Sequence, residues 1–391
     1  MHFTTFAASV QELEACARAP ELAEVLLEPA LLAQQGQLSD EAVQTLAQQA
    51  RSLNLRPVLV WDALMPERTM AQVRDRIADW DFSGFDAVRV SDPGAAYWLR
   101  CHVPDLPLQL IVETGNHNFE ALKGWCEIFA DQLERLVLSI ELPEAVLIDY
   151  CQRLPVACEV LGAGPILLFY SPRSLLATPL QVADRNAPLD ATIAFEETPQ
   201  RRFPTKETAH GTFMFLDKDQ FILDRLAGLQ AAGLQWVRLD LRHLAQEPEM
   251  AIDRVCQQAL TDPVALRDRW PRSPRAPFFN ANRTTSLFQR LQSKLTRYRP
   301  EIRLAEAIAG ESGDYVVFQA LQPFARSRVK CLVVTTGEER PLPESFILRD
   351  LDGHPIEQAE RNQLFVTHWL KRAMPGSLLI ADDPKISEPA P

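Results

Sequence analysis

The chain is short of cysteine, and none of it falls in a metal-binding pattern. Seven cysteines stand at positions 16, 101, 126, 151, 158, 256 and 331, with no C-x-x-C pair. That excludes the common zinc spacings and gives no disulfide framework, so each reads as a small core residue. No apolar run reaches the roughly 18 residues that a membrane helix needs. The opening MHFTTFAASVQELEA lacks a basic region followed by an apolar core, so a cytoplasmic location is expected. Positive charge is also scarce. Lys and Arg number 40 against 52 Asp and Glu, a net charge of −12. This argues against broad contact with a phosphate backbone, and RNA as a partner has no support from charge. One local exception is the stretch 267–299, which includes Arg272, Arg275, Arg283, Arg290 and Arg297. Nucleotide loops of the G-x-G-x-x-G or Walker type, a G-x-S-x-G elbow and H-E-x-x-H are all missing. Their absence weighs against an open nucleotide-binding sheet, a serine hydrolase and a zinc protease.

What is present is an alternation of apolar β-type runs with helical patterns. The pattern predicts strands over 3–7, 24–28, 57–61, 87–91, 108–112, 136–140, 157–161 and 236–239. Helices are expected over 39–53, 70–80, 119–132, 143–154, 219–232 and 248–260. Eight strands alternating with helices point to the α/β class and a TIM-like (β/α)8 barrel over 1–265. The rhythm breaks over 171–215, a stretch rich in Pro, Thr and charge that reads as an irregular insertion after the seventh strand. A proline- and arginine-rich link over 266–299 follows. Short β-type runs then suggest a small antiparallel β domain over 300–380, and the tail 381–391 reads as disordered.

One stretch is more specific than the rest. Residues 159–176 read EVLGAGPILLFYSPRSLL. They resemble the signature of the U32 peptidase, or collagenase-like protease, family: Glu-Val-Phe-x-His-Gly followed by Tyr-Ser-Gly-Arg-Cys-Leu. Glu159, Gly164, Tyr170, Ser171, Arg173 and Leu175 match, while Ala163 replaces His and Ser174 replaces a cysteine that binds a metal cluster in the family. LDKDQFILDRLAGLQAAGLQWVRLDLR, residues 216–242, is similar to a second family segment through Asp219, Ala232, Gly233 and Arg242. The segments 85–94 and 136–142 resemble two more. The resemblance implies a barrel and a place among collagenase-like proteases or prephenate-linked hydroxylation proteins of RNA and quinone. The family insertion also carries cluster cysteines, and 171–213 contains none. No cofactor and no metal are therefore expected.

Function in such barrels gathers at the carboxyl ends of the strands. There the sequence places Glu28, Asp62, Asp92, Glu113, Glu141, Glu159 and Asp240, with Arg173 and Arg242 nearby. Glu159 and Asp240 are the candidate catalytic carboxylates. Arg173, Arg242, Glu113, His117 and Tyr170 are candidate ligand contacts, with an arginine fork suited to a small carboxylate ligand. For Asp62, Asp92 and Glu141 the simpler reading is helix capping, and for His117 a surface His beside a capping Asn. Glu159, Arg173, Asp240 and Arg242 are expected to line one pocket. Three functions stay open: a cluster-free binding or accessory subunit with a paralogous partner chain, a peptidase using strand-end carboxylates, and a structural pseudoenzyme.

Overall fold

The computed structural model describes residues 1–113, 116–182, 187–195, 198–280, 298–335 and 337–382. The chain divides into two compact units, Met1–Asn282 and Arg283–Pro391.

The first unit is a closed barrel. Its strands are β1 (His2–Phe6), β2 (Leu22–Leu27), β3 (Arg56–Trp61), β4 (Ala87–Val90), β5 (Leu108–Ile111), β6 (Leu133–Val137) and β7 (Ala157–Ser171). After β8 (Leu189–Phe195), β9 (Thr198–Thr208) and β10 (Gly211–Phe221), β11 (Trp236–Leu239) pairs in parallel with both β7 and β1 and closes the ring. Helices α1 (Val10–Ala17), α2 (Asp40–Ser52), α3 (Glu67–Ile77), α4 (Pro93–His102), α5 (Phe119–Phe129) and α6 (Glu144–Arg153) connect the strands on the outside. Their starts follow ordinary capping chemistry. Ser39 Oγ accepts from the Ala42 N–H, Asp92 from Ala95, and Asn118 from Ala121. Asp92 is thus a cap, and Asn118 caps beside His117.

The strands alternate strictly between an outer and an inner face. Val25, Leu27, Val88, Val90, Leu108, Leu110, Val237 and Leu239 face the helices in one continuous apolar core. Leu26, Val58, Val60 and Ala87, with Phe6 against them, form a smaller apolar group. Other inner positions hold the buried charged and amide side chains Glu24, Arg89, Gln109, Arg135 and Glu159.

Three expectations need correction. β6 spans Leu133–Val137, three residues earlier than the apolar run 136–140, because Glu134 and Arg135 sit within the strand. The insertion is not irregular: β7 continues past the barrel rim and pairs antiparallel with β10, which pairs with β9, and β9 with β8. Prolines and charges hide these strands from a pattern search. For the same reason the helix expected over 219–232 begins only at α7 (Leu226–Ala231), since Asp219 and Phe221 close β10. The helix Pro263–Asp268 runs into the start of the expected link and Pro274–Arg275 pairs with β10, while 281–297 lies outside the described residues, as does 383–391 of the expected tail.

The second unit is an antiparallel sheet built on strands Arg303–Glu311, Tyr315–Ala320, Leu364–His368 and Leu378–Ile380. Its core holds Leu304, Leu379 and the stacked pair Phe318 and Phe365, ring centres 5.6 Å apart.

The arm formed by the extension of β7 with β8, β9 and β10 depends on Gly211, which opens β10 at φ +127°; a Cβ there would lie 2.1 Å from the Ser171 carbonyl oxygen. Gly211→Ala is expected to cost about 1–3 kcal/mol, read as a lower urea midpoint. An unchanged midpoint would show that the arm unfolds separately from the barrel.

Candidate functional site

Four charged inner side chains neutralise one another inside the barrel, with the Gln109 amide bonded among them. Arg89 donates to both oxygens of Glu159 at 2.8 and 2.5 Å and to Gln109 Oε1 at 2.9 and 2.7 Å. Arg135 donates to Glu159 at 2.9 Å and to Glu24 at 2.6 and 2.8 Å, and its guanidinium lies 3.6 Å from the centre of the Trp236 ring. Glu24 and Glu159 have no exposed surface. Burial alone would raise the Glu159 pKa, but Arg89 and Arg135 outweigh it and hold the carboxyl below its ordinary range. Arg56 and Glu134 extend the network, paired at 2.6 Å. None of this was foreseen. The signal was one or two charged or amide residues inside an otherwise apolar strand: AVRV in β4, LQLI in β5, LERLV in β6 and WVRL in β11.

Glu159 therefore does not share a pocket with Asp240. It sits opposite Trp236, whereas the Asp240 N–H donates to the Ala163 carbonyl. Four residues separate these levels, roughly 13 Å along a strand. The cause is the length of β7: Glu159 lies near its start, not its end.

The other candidates group differently. Asp240 and Arg242 meet at the carboxyl-terminal mouth, with Nε–Oδ1 at 2.9 Å and NH2–Oδ2 at 2.7 Å. Arg242 also bonds Glu28 and lies 3.6 Å from the Phe6 ring centre. Gly164 makes room for this, since a Cβ there would lie 2.9 Å from the Asp240 Cβ. Burial would raise Asp240, but Arg242 pulls it down to about 2. Glu28 goes the other way: burial pushes it up to about 7 despite Arg242, with Asp62 adding to the rise. Asp62 is no helix cap; it accepts from the Gln34 N–H at 2.7 Å. Glu113 pairs with Arg238 at 2.5 Å. His117 Nε2 lies 3.1 Å from Ser139 Oγ and 3.6 Å from Glu141. Tyr170 is on the arm, stacked on Phe213 and donating to the His210 carbonyl at 3.1 Å. Arg173 is exposed on the following turn. A cavity of about 230 Å³ opens between mouth and arm, lined by Phe6, Glu28, Gln37, Lys206, Thr208 and Arg242 among others.

The turn at Ser174 is held by a residue that sequence reasoning missed. Glu207 accepts from Ser174 Oγ at 2.7 Å, from the N–H groups of Leu175, Leu176 and Ala177 at 2.6, 2.7 and 3.1 Å, and from Thr212 Oγ1 at 2.7 Å. Burial opposes its charge, yet these donors bring it down to about 2. The alternation Phe203, Thr205, Glu207, all buried, is the signal that marked it.

The residues do not fit an iron–sulfur cluster. Such a cluster needs thiolates, usually four, and the turn offers the Ser174 hydroxyl. Cys16, Cys126, Cys158, Cys256 and Cys331 are buried elsewhere, and burial pushes the Cys16 thiol up to about 12. Among the described residues, one group of His, Cys, Asp or Glu is spaced to share a cation: Asp350, Asp352 and His354, in a turn of the second unit. Asp350 there already accepts from the N–H groups of Asp352 and His354.

The family model of Peptidase family U32 matches residues 30–290. The tRNA hydroxylation protein P2 of Bacillus subtilis is 23% identical over 243 residues, 60% of this chain and 77% of that protein. The tRNA hydroxylation protein P of Escherichia coli is 31% identical over 104 residues, 26% of this chain and 22% of that protein. Among solved structures, a U32 peptidase aligns at 12% identity with a TM-score of 0.34, covering 42% of this chain and 70% of that one.

Two outcomes are expected. Glu159→Gln leaves Arg89 and Arg135 short of a buried partner and is expected to cost about 3–5 kcal/mol in urea unfolding; a loss under 1 kcal/mol would contradict the network. The folded pKa values of Asp240 and Glu207 lie below their unfolded values. They stabilise above about pH 4.5, and that contribution fades as pH falls towards 2. Glu28 has the opposite sign, stabilising below about pH 4.5 and losing this as pH rises through 7. The melting temperature should peak between these limits, and Glu28→Gln should flatten the alkaline side. An unchanged alkaline limb in that variant would refute the Glu28 assignment.

Proposed function

On the premise that the chain belongs to Peptidase family U32, which its match over residues 30–290 establishes, we propose that it is a cluster-free binding or accessory subunit in prephenate-linked hydroxylation of RNA or quinone. The observation that carries this reading is the turn at Ser174, where a hydroxyl bound to Glu207 stands in place of a thiolate. The named hydroxylation proteins among its relatives supply the chemical context. With a net charge of −12, the chain itself is a poor phosphate binder, so a paralogous partner chain would carry the RNA contacts. A cytoplasmic location belongs to the same reading.

The mouth cavity is the proposed site for a small carboxylate ligand. Arg242 is committed to Asp240 and Glu28, so the ligand would meet Lys206, whose ammonium is 3.9 Å from Asp190, and a protonated Glu28 acting as donor. Binding should then weaken as pH rises through about 7, the value to which burial takes Glu28. Calorimetry with prephenate at pH 6 and 8 is expected to show affinity lower at pH 8 by up to about tenfold, the effect of one pH unit beyond the pKa. Glu28→Gln should abolish that difference. Absence of binding at both pH values would remove the ligand proposal.

In cells, deleting the chain should lower hydroxylated tRNA nucleosides or hydroxylated quinone, and the wild-type chain should restore them. Unchanged levels of both would overturn the accessory role. One observation favours a second reading, a carboxyl-dependent hydrolase: Glu28 titrates near neutrality beside a cavity, as a general acid or base must. Gelatin cleavage by the purified chain, lost in Glu28→Gln, would select that reading.

A further inference from the structure

We propose that Glu207 does in this chain what a metal centre would do at the same turn: its carboxylate gathers the turn 174–177, β9 and β10, and so completes the wall of the mouth cavity without metal. The inference rests on the cluster-free reading of the chain and adds how the site is built.

The geometry has three parts. First, three consecutive N–H groups, of Leu175, Leu176 and Ala177, converge on one carboxylate, with the Ser174 hydroxyl as a fourth donor from the same turn. Successive N–H groups turned to one point form an anion-binding nest. Here the anion comes from the chain's own β9. Second, the Thr212 hydroxyl from β10 lies 2.7 Å from Glu207 and donates its one proton there as a fifth donor, with the Arg173 carbonyl oxygen 2.8 Å away, so one carboxylate ties three segments. Third, the same end of β9 is moored to the barrel. Thr208 Oγ1 donates to the Gln34 carbonyl at 2.7 Å, and His210 Nε2 lies 2.8 Å from the Ala30 carbonyl oxygen. Gln34 and Ala30 belong to the loop after β2, whose Glu28 and Gln37 line the cavity together with Glu207, Lys206 and Thr208. Releasing Glu207 would therefore free the turn and loosen the cavity wall in one step.

A carboxylate with five donors at 2.6–3.1 Å leaves the nest no place for a second anion or for cluster sulfide. Glu207 is 2% exposed, so water cannot replace it without opening the turn.

The test uses the full chain purified anaerobically. Wild type is expected to hold no stoichiometric iron or sulfide, before or after incubation with ferrous iron, sulfide and thiol. Hydrogen exchange is then followed at the amides of Leu175, Leu176 and Ala177. In Glu207→Gln these amides should exchange about 10- to 100-fold faster, the loss of one charge-assisted bond each, while the barrel amides of β3 and β4 are unchanged. Should that variant not fold, Ser174→Ala and Thr212→Val remove one donor each and should give smaller accelerations at the same three amides. Stoichiometric iron and sulfide in wild type would overturn both this inference and the cluster-free reading. Unchanged exchange in the variants, with no iron bound, would overturn this inference alone. A failed hydroxylation assay would leave it standing.

Discussion

Everything in the barrel is arranged around two arginines that cannot reach water. Arg89 and Arg135 are each 1% exposed, inside a ring of eight strands. An unpaired guanidinium in such a place is very costly, so each needs a carboxylate at bonding distance. Glu24 and Glu159 meet that need, and the requirement fixes where the strands stand relative to one another. A shift of one residue in β7 would turn Glu159 outward into the apolar layer and bring Ala157 and Val160 out of place. Charge here acts as a device for register and specificity, while the outer apolar core supplies the driving force for folding.

That commitment also sorts the carboxylates by what chemistry they can do. Glu159 spends its lone pairs on arginines in the barrel's middle, and Asp240 spends its own on Arg242 at the rim. A base that is held fully ionised and fully bonded has little left for a substrate proton. Glu28 differs because it shares one guanidinium with Asp240, so burial wins and its proton is held to near neutrality. At the mouth of the barrel burial thus lifts the Glu28 carboxyl towards neutrality, next to a cavity and a wall that includes Glu207.

Much of this architecture was legible in the chain. Eight strands, their order and the closing role of 236–239 follow from apolar runs alternating with capped helices, such as Ser39 before α2 and Asp92 before α4. The family signature at 159–176 was legible too, because short motifs survive where overall identity does not. Two things were hidden. The strands of the arm carry prolines, charges and a glycine opening, so they look like loop. The inner side chains point into the barrel, and a linear reading cannot tell a strand-end carboxylate from one two layers below. Glu159 was misplaced for that reason, and Glu207 was overlooked because its five donors come from residues up to 33 positions away in sequence. The isolated Arg of AVRV and the Gln of LQLI could have exposed the inner network, since a lone polar residue in a short buried strand must face a partner.

The central claim is that arginines hold Glu159 and Asp240 ionised while burial lifts Glu28 towards neutrality. Carbon-13 spectroscopy of the carboxyl groups, followed from pH 3 to 9, tests it most directly. The account predicts a buried carboxyl titrating near 7 that disappears in Glu28→Gln, with Asp240 titrating near 2 and Glu159 below the ordinary carboxylate range. A Glu159 signal that titrates at or above that range, or a Glu28 signal that titrates within it, would contradict the account.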